Sequence, residues 1–231
     1  RFEAIFGETE ALRALGRGND ALPLLQTLAQ EPSWKLRASL VRASLLIDRD
    51  ELEVANQLLR SLTPESAADR NQRRYLNGRI HLAQKRYGRA VEALGGILAK
   101  PEGVPHPLLV ATLFAIADAH LAGKSPERGD DVLEDFIDHH PSDSALPAIF
   151  AKLDQLYAAE GKPSPNELSR WVRDPAQPRR ALSQWSLARN PLRSAVRARA
   201  ITTLPQLRLS PVPLPPLGHP QPALGRLLLA R

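Results

Sequence analysis

Residues 73–98 read RRYLNGRIHLAQKRYGRAVEALGGIL, and this stretch decides the fold. Tyr75, Leu76, Gly78, Ile80, His81, Leu82 and Ala83 recur with helical spacing. A polar break follows at Gln84–Arg86. A second helical pattern opens near Tyr87 and carries Ala90, Leu94, Ile97 and Leu98. The pattern predicts two short helices folded into a hairpin. The small residues Gly78 and Ala90 fall where the helices must cross closely. Neither helix can bury its apolar stripe alone, so the unit requires neighbours of the same kind.

The chain supplies them. Residues 6–32 place Ala21, Leu25 and Leu28 where Ala90, Leu94 and Ile97 stand, with Gly16 and Gly18 at the turn and Pro32 ending the second helix. Residues 33–64 repeat the pattern. Trp34 to Ile47 forms the first helix, Asp48–Arg49–Asp50 the break, and Ala55, Leu59 and Leu62 the second helix before Pro64. Ala21, Ala55 and Ala90 are spaced by 34 and 35 residues. After a Pro/Gly-rich linker over 100–107, a fourth copy spans about 107–141. Ala111, Phe114, Ala117 and Leu121 lie in its first helix, and Gly129, Leu133 and Phe136 in its second. A degenerate fifth copy covers 142–178, with Ala148, Leu153, Leu156 and Tyr157 and then Leu168 and Trp171. A partial sixth covers 179–204, with Leu182, Trp185 and Ala188 as its apolar stripe.

This period and pattern resemble the tetratricopeptide repeat, a helix-turn-helix of about 34 residues with a W-x2-L-G-x2-Y first helix, an A-x3-F second helix and a late proline. Gly78 matches the family glycine, and Ala43 and Ala117 stand in for it. Ala21, Ala55, Ala90 and Gly129 open the A-x3-F element, with Leu25, Leu59, Leu94 and Leu133 replacing its aromatic. Pro141 falls at the late-proline position. No copy has the family tryptophan, and His81 and His120 occupy the usual Tyr slot. The resemblance implies an all-α protein, a right-handed α-α superhelix of stacked hairpins over 1–189; the proline-rich sequence over 190–231 reads separately as an irregular tail.

The resemblance further implies a concave face lined by the first helices, on which such proteins hold a partner protein or peptide. The family's groove positions map onto Arg37, Leu40 and Ser44, onto Gln72, Tyr75 and Arg79, and onto Ala111, Phe114 and Asp118. Arg37, Tyr75, Arg79, Phe114 and Asp118 are therefore the expected partner-binding residues. The arginines would pair with anions, and Tyr75 and Phe114 would serve as apolar anchors. The Lys/Asn carboxylate clamp of the chaperone-binding subfamily is not seen in these slots.

Charge is unevenly distributed over the 231 residues. Up to Asp174 there are 22 Lys and Arg against 25 Asp and Glu; from Pro175 onward there are nine Arg and no acid, which produces the overall +6. Residues 205–231 hold seven prolines, and a helix cannot run through 211–216. Two readings of this tail compete. One is a basic disordered tail; the other is a sequence read out of frame from near Asn190. Scattered arginines without an aromatic beyond Trp185 disfavour nucleic-acid binding. A chain that opens at Arg1 and has no Met reads as a fragment, a processed form or an altered chain.

Catalytic chemistry is not evident. There is no cysteine, no G-x-S-x-G, no phosphate loop and no G-x-G-x-x-G. His139–His140 cannot form an i, i+4 ligand pair and suits a helix C-terminus before Pro141. The acidic run Asp130, Asp131, Glu134, Asp135, Asp138 reads as a solvated outer face. The expectation is a non-enzymatic scaffold without cofactor, metal or small-molecule substrate, soluble in cytoplasm or periplasm, whose terminal repeats offer a route to a homo-oligomer. The alternative is the helical-repeat part of a larger bacterial envelope assembly factor or enzyme.

Overall fold

The computed structural model describes residues 1–160 and 165–189, and among these the chain is all-α. The helices are α1 (Phe2–Ala14), α2 (Gly18–Leu28), α3 (Pro32–Asp48), α4 (Leu52–Ser61), α5 (Ala67–Ala83), α6 (Tyr87–Leu98), α7 (His106–Ala122), α8 (Pro126–His139), α9 (Leu146–Glu160), α10 (Pro165–Val172) and α11 (Gln177–Arg189). Two compact units divide them, one covering Arg1–Gly123 and one beginning at Lys124. The expectations for 190–231 lie outside the described residues.

In the first unit α1 packs on α2, α3 on α4 and α5 on α6, and each second helix also packs on the first helix of the next pair. First helices contact one another as well, α3 with α5 and α5 with α7. This double contact explains a difference between the two helix types. The second helices bury one stripe: Ala21, Leu25 and Leu28; Ala55 and Leu59; Ala90, Leu94 and Ile97. The first helices are covered on two sides. In α3, Ala38 and Leu45 face the α1–α2 core, while Leu40, Ala43, Leu46 and Ile47 face the α4–α5 core. Each fully buried leucine of these stripes contributes on the order of 1.5–3 kcal/mol.

The small residue twelve positions before each of Ala21, Ala55, Ala90 and Gly129 is buried: Thr9, Ala43, Gly78 and Ala117. At Gly78 the fit is closest, since a Cβ there would lie 2.5 Å from Cγ of Leu94. Thr9 is the member the sequence pattern does not reveal. Its hydroxyl donates to the Phe6 carbonyl at 2.7 Å, so it fills an apolar slot with its polar atom satisfied.

The turns repeat as faithfully as the cores. Gly16, Asp50, Lys85 and Lys124 all have left-handed backbone, with φ of 72°, 63°, 59° and 60°. Each stands five residues before the small residue of its second helix. In the first three turns the N–H of the left-handed residue donates three residues back (to Arg13, Ile47 and Leu82). The next N–H donates five back, from Arg17 to Leu12, Glu51 to Leu46 and Arg86 to His81, at 2.8–2.9 Å. This paired arrangement closes a helix at a left-handed residue. Only Gly16 has the residue type that adopts it without strain. Lys85→Gly should therefore stabilise the first unit by a few tenths to about 1 kcal/mol, the relief of left-handed strain less the entropy glycine adds to the unfolded chain. A urea midpoint at or below that of the parent chain would contradict this.

Local signals set the helix starts. Ser66 caps α5 reciprocally with Asp69: its hydroxyl accepts the Asp69 N–H at 3.1 Å, and its own N–H donates to the Asp69 carboxylate at 3.1 Å. Pro32 is the first residue of α3 rather than the end of α2, which closes at Leu28. Lacking an N–H, proline costs nothing at a position whose N–H would be unpaired.

In the second unit α8 packs on α9, and α11 packs on α9 and α10. Leu133, Phe136 and Ile137 of α8 are buried, as are Leu146, Ile149, Phe150, Leu153, Leu156 and Tyr157 of α9 and Leu168 and Trp171 of α10. Phe150 and Trp171 meet edge to face at 5.7 Å. Two expectations are corrected here. Ala148 is exposed, and its neighbour Ile149 is the buried residue. In α11 the buried side is Ser183, Ser186 and Leu187, whereas Trp185 and Ala188 are exposed. The rotation has a polar cause: Ser186 bonds Asp154 on α9, and Ser183 donates to the Arg179 carbonyl.

The acidic run is also not a solvated face. Asp130, Glu134 and Asp138 form one i, i+4, i+8 stripe, and that stripe is the side α9, α10 and α11 use. Asp130 is buried, Glu134 accepts the Tyr157 hydroxyl at 2.5 Å, and Asp138 accepts from Trp171. Only Asp131 and Asp135 of the run are exposed. The His139–His140 reading agrees with the structure. α8 ends at His139, whose Nδ1 is 2.8 Å from the Asp135 carbonyl, and the His140 ring lies 4.4 Å from Phe136.

Candidate functional site

The first helices of the first unit carry the expected partner-binding residues, all within Arg1–Gly123. On α5, Tyr75 and Arg79 are one turn apart, with the guanidinium 6.0 Å from the Tyr75 ring centre. Arg79 reaches back to α3, where it donates to the Ser44 hydroxyl at 3.0 Å and to the Asp48 carboxylate at 2.5 Å. The groove positions Ser44 and Arg79 are thus joined across two successive first helices. The sequence reading offers Arg79 as a free cation for an anion; the structure gives its charge to Asp48. Asp48 is the residue that reading missed, because it looked like part of a turn.

Tyr75 is half-buried and packs against the core between α3, α4 and α5. Burial raises its hydroxyl pKa above the ordinary phenol value. Arg79 opposes the rise, while Asp48 and Asp118 add to it. The hydroxyl therefore stays protonated at neutral pH and can donate. Asp118, exposed on α7, contributes through that field, so α3, α5 and α7 all act on one phenol. Phe114 is half-buried on α7, one turn before Asp118.

Arg37 lies apart from this group. It is exposed on α3, with its guanidinium 4.1 Å above the Phe6 ring and 5.6 Å from Trp34, and those two rings are 5.4 Å apart. A cation over an aromatic face gains about 0.5–1 kcal/mol at an exposed site. Leu40, mapped to the groove by the resemblance, is a core residue instead, 6% exposed. Gln72 and Ala111 are half-buried.

The position of Asp48 was recoverable in principle. It stands one helical turn after Ser44, which occupies the slot equivalent to Arg79. A cation and an anion on neighbouring first helices, offset by one turn, can meet. Among the described residues no group of three His, Cys, Asp or Glu side chains could hold a metal ion, and no helix is long and apolar enough to cross a membrane.

Helix order and packing define the class: an all-helical protein of stacked helix pairs. No family model, no curated protein and no solved structure matches the chain.

Proposed function

We propose that this chain is a tetratricopeptide-like scaffold, without chemistry of its own, that holds a partner protein or peptide on the face of its first helices around Tyr75 and Arg79. The observation that carries this reading is the Ser44–Asp48–Arg79–Tyr75 network. It fixes a half-buried phenol and a guanidinium in place across two hairpins, and so lowers the ordering cost of any contact they make. Tyr75, Phe114 and the Arg37–Phe6 stack supply the aromatic and arginine surface in which interface energy concentrates. Asp118, exposed on α7, is the acidic side chain of that surface. The repeated cores and turns support a tetratricopeptide-like array as the frame.

The test is capture from the native lysate with Tyr75→Ala and Arg79→Ala combined. The combined change should weaken capture at least about tenfold, the loss of one hot spot of the order of 1.4–2 kcal/mol. Arg60→Ala, an exposed change on the second helix α4, should leave it intact. Equal capture by the double variant would remove the first-helix face from the reading.

A further inference from the structure

A cavity of about 450 Å³ opens where the end of α8 meets α10 and the start of α11. That size suits a small ligand, for which pockets run to about 300–1,000 Å³. Charged side chains line it: Asp138, Asp174, Arg170, Arg173 and Arg179, with Trp171 beside them. Both acids are already engaged. Asp138 accepts the Trp171 indole N–H at 2.6 Å and pairs with Arg170. Asp174 pairs with Arg179 and accepts the Ala176 N–H at 2.8 Å. Three guanidiniums against two carboxylates leave one positive charge in excess at the wall.

Arg173 carries that excess. It is exposed, and its side chain makes no hydrogen bond or ion pair among the described residues. Its backbone N–H donates to the Arg170 carbonyl at 3.1 Å, so the two side chains leave the chain on one helical turn. Side chains three residues apart on such a turn are neighbours. Arg170 is 58% exposed, and its one bond to Asp138 leaves most of its five N–H donors unused. Two neighbouring guanidiniums with open donors match an oxygen anion, since each of its oxygens can take a charge-assisted bond. Trp171 is 1% exposed and offers a ligand no ring face, so charge dominates the site.

We propose that this cavity of the second unit binds a small ligand through a carboxylate or phosphate group, held between Arg173 and Arg170. The site is separate from the first-helix face around Tyr75 and does not depend on it. Its anion shares Arg170 with Asp138. Asp138 keeps the Trp171 indole and has Arg179 at 3.5 Å, so binding breaks no contact that holds α8, α10 and α11 together.

The experiment titrates the full chain with inorganic phosphate and, separately, with succinate, at an ionic strength held constant with sodium chloride. The Trp171 indole N–H is the NMR reporter, because it shares Asp138 with Arg170. At least one of the two anions should shift it along a saturating curve. The anion that saturates at the lower concentration tells a phosphate ligand from a carboxylate one. Arg173→Gln removes a side chain without partners, and it should raise the midpoint at least about tenfold, the loss of one charge-assisted contact. Arg37→Gln, an exposed arginine of the first unit, should leave the midpoint where it is. Shifts that stay linear with both anions, a midpoint unmoved by Arg173→Gln, or an equal rise in Arg37→Gln would each overturn the proposal.

Discussion

Asp138→Ala is expected to destabilise the second unit by about 2–4 kcal/mol. The carboxylate at the end of α8 accepts the Trp171 indole N–H at 2.6 Å and pairs with Arg170, and the Arg179 guanidinium stands 3.5 Å away. These partners do not count equally. Arg170 is 58% exposed, so its pair contributes less than about 1 kcal/mol. Arg179 is 14% exposed but keeps Asp174 and the carbonyls of Ile137 and Asp138, at 3.1 and 3.2 Å. Trp171 has no such reserve. It is 1% exposed, and an indole N–H buried without an acceptor costs about 1–3 kcal/mol. Asp138→Asn, which retains a carbonyl oxygen for the indole, should recover at least half of the loss. Hydrogen exchange resolved to α8, α10 and α11 would measure both. Equal losses in the two variants would show that the charge, and not the indole bond, is what matters there.

The second large effect is a substitution that ordinarily favours helices. Gly→Ala in a helix interior gains about 0.5–1 kcal/mol. At Gly95 and Gly96 of α6 a Cβ would meet nothing within 4 Å, so alanine at either should stabilise by about that amount. At Gly78 a Cβ would stand 2.5, 2.6 and 3.2 Å from Cγ, Cδ2 and Cδ1 of Leu94. Leu94 is fully buried, and its Cγ is too close to its own backbone to swing away. Overpacking of this kind costs about 1–3 kcal/mol and outweighs the helix gain. Gly78→Ala should thus lower the urea midpoint while Gly95→Ala raises it. Leu94→Ala alone opens a cavity at a cost of about 2–5 kcal/mol. Joined to Gly78→Ala it should cost less than the two changes summed, because each relieves the other. Strict additivity would mean that α5 and α6 shift apart instead of clashing.

What could be read from the sequence, and what could not, follows from where each constraint originates. The A-x3-L stripes and, Thr9 apart, the small residues twelve positions earlier are visible because close helix crossing leaves few residue types possible at each position. The acid stripe of α8 reads as a solvated face because a charged face is usually wet. Its dryness depends on the polar tips of Tyr157, Trp171 and Arg179, which stand 23 to 41 residues away from their partners. Serines on the buried side of α11 escape notice for the same reason, since the partner of Ser186 is Asp154 on another helix. At the candidate site the aromatic and basic side chains were legible one by one. The Arg79–Asp48 pairing was not, because it exists only once α3 and α5 lie side by side.

The recurrent left-handed turn suggests that hairpins could be traded by recombination. A deletion of residues 51–85 would join Asp50 to Arg86 and splice α3 onto α6 through a turn of the same geometry. In the splice Ala43 would stand opposite Leu94, the same pairing of residue types that Ala43 and Leu59 make in the second hairpin. Only the closer approach that Gly78 permits in the third hairpin would have to relax. Half-hairpins are therefore interchangeable parts, and the loss of that one close contact is what such an exchange would cost.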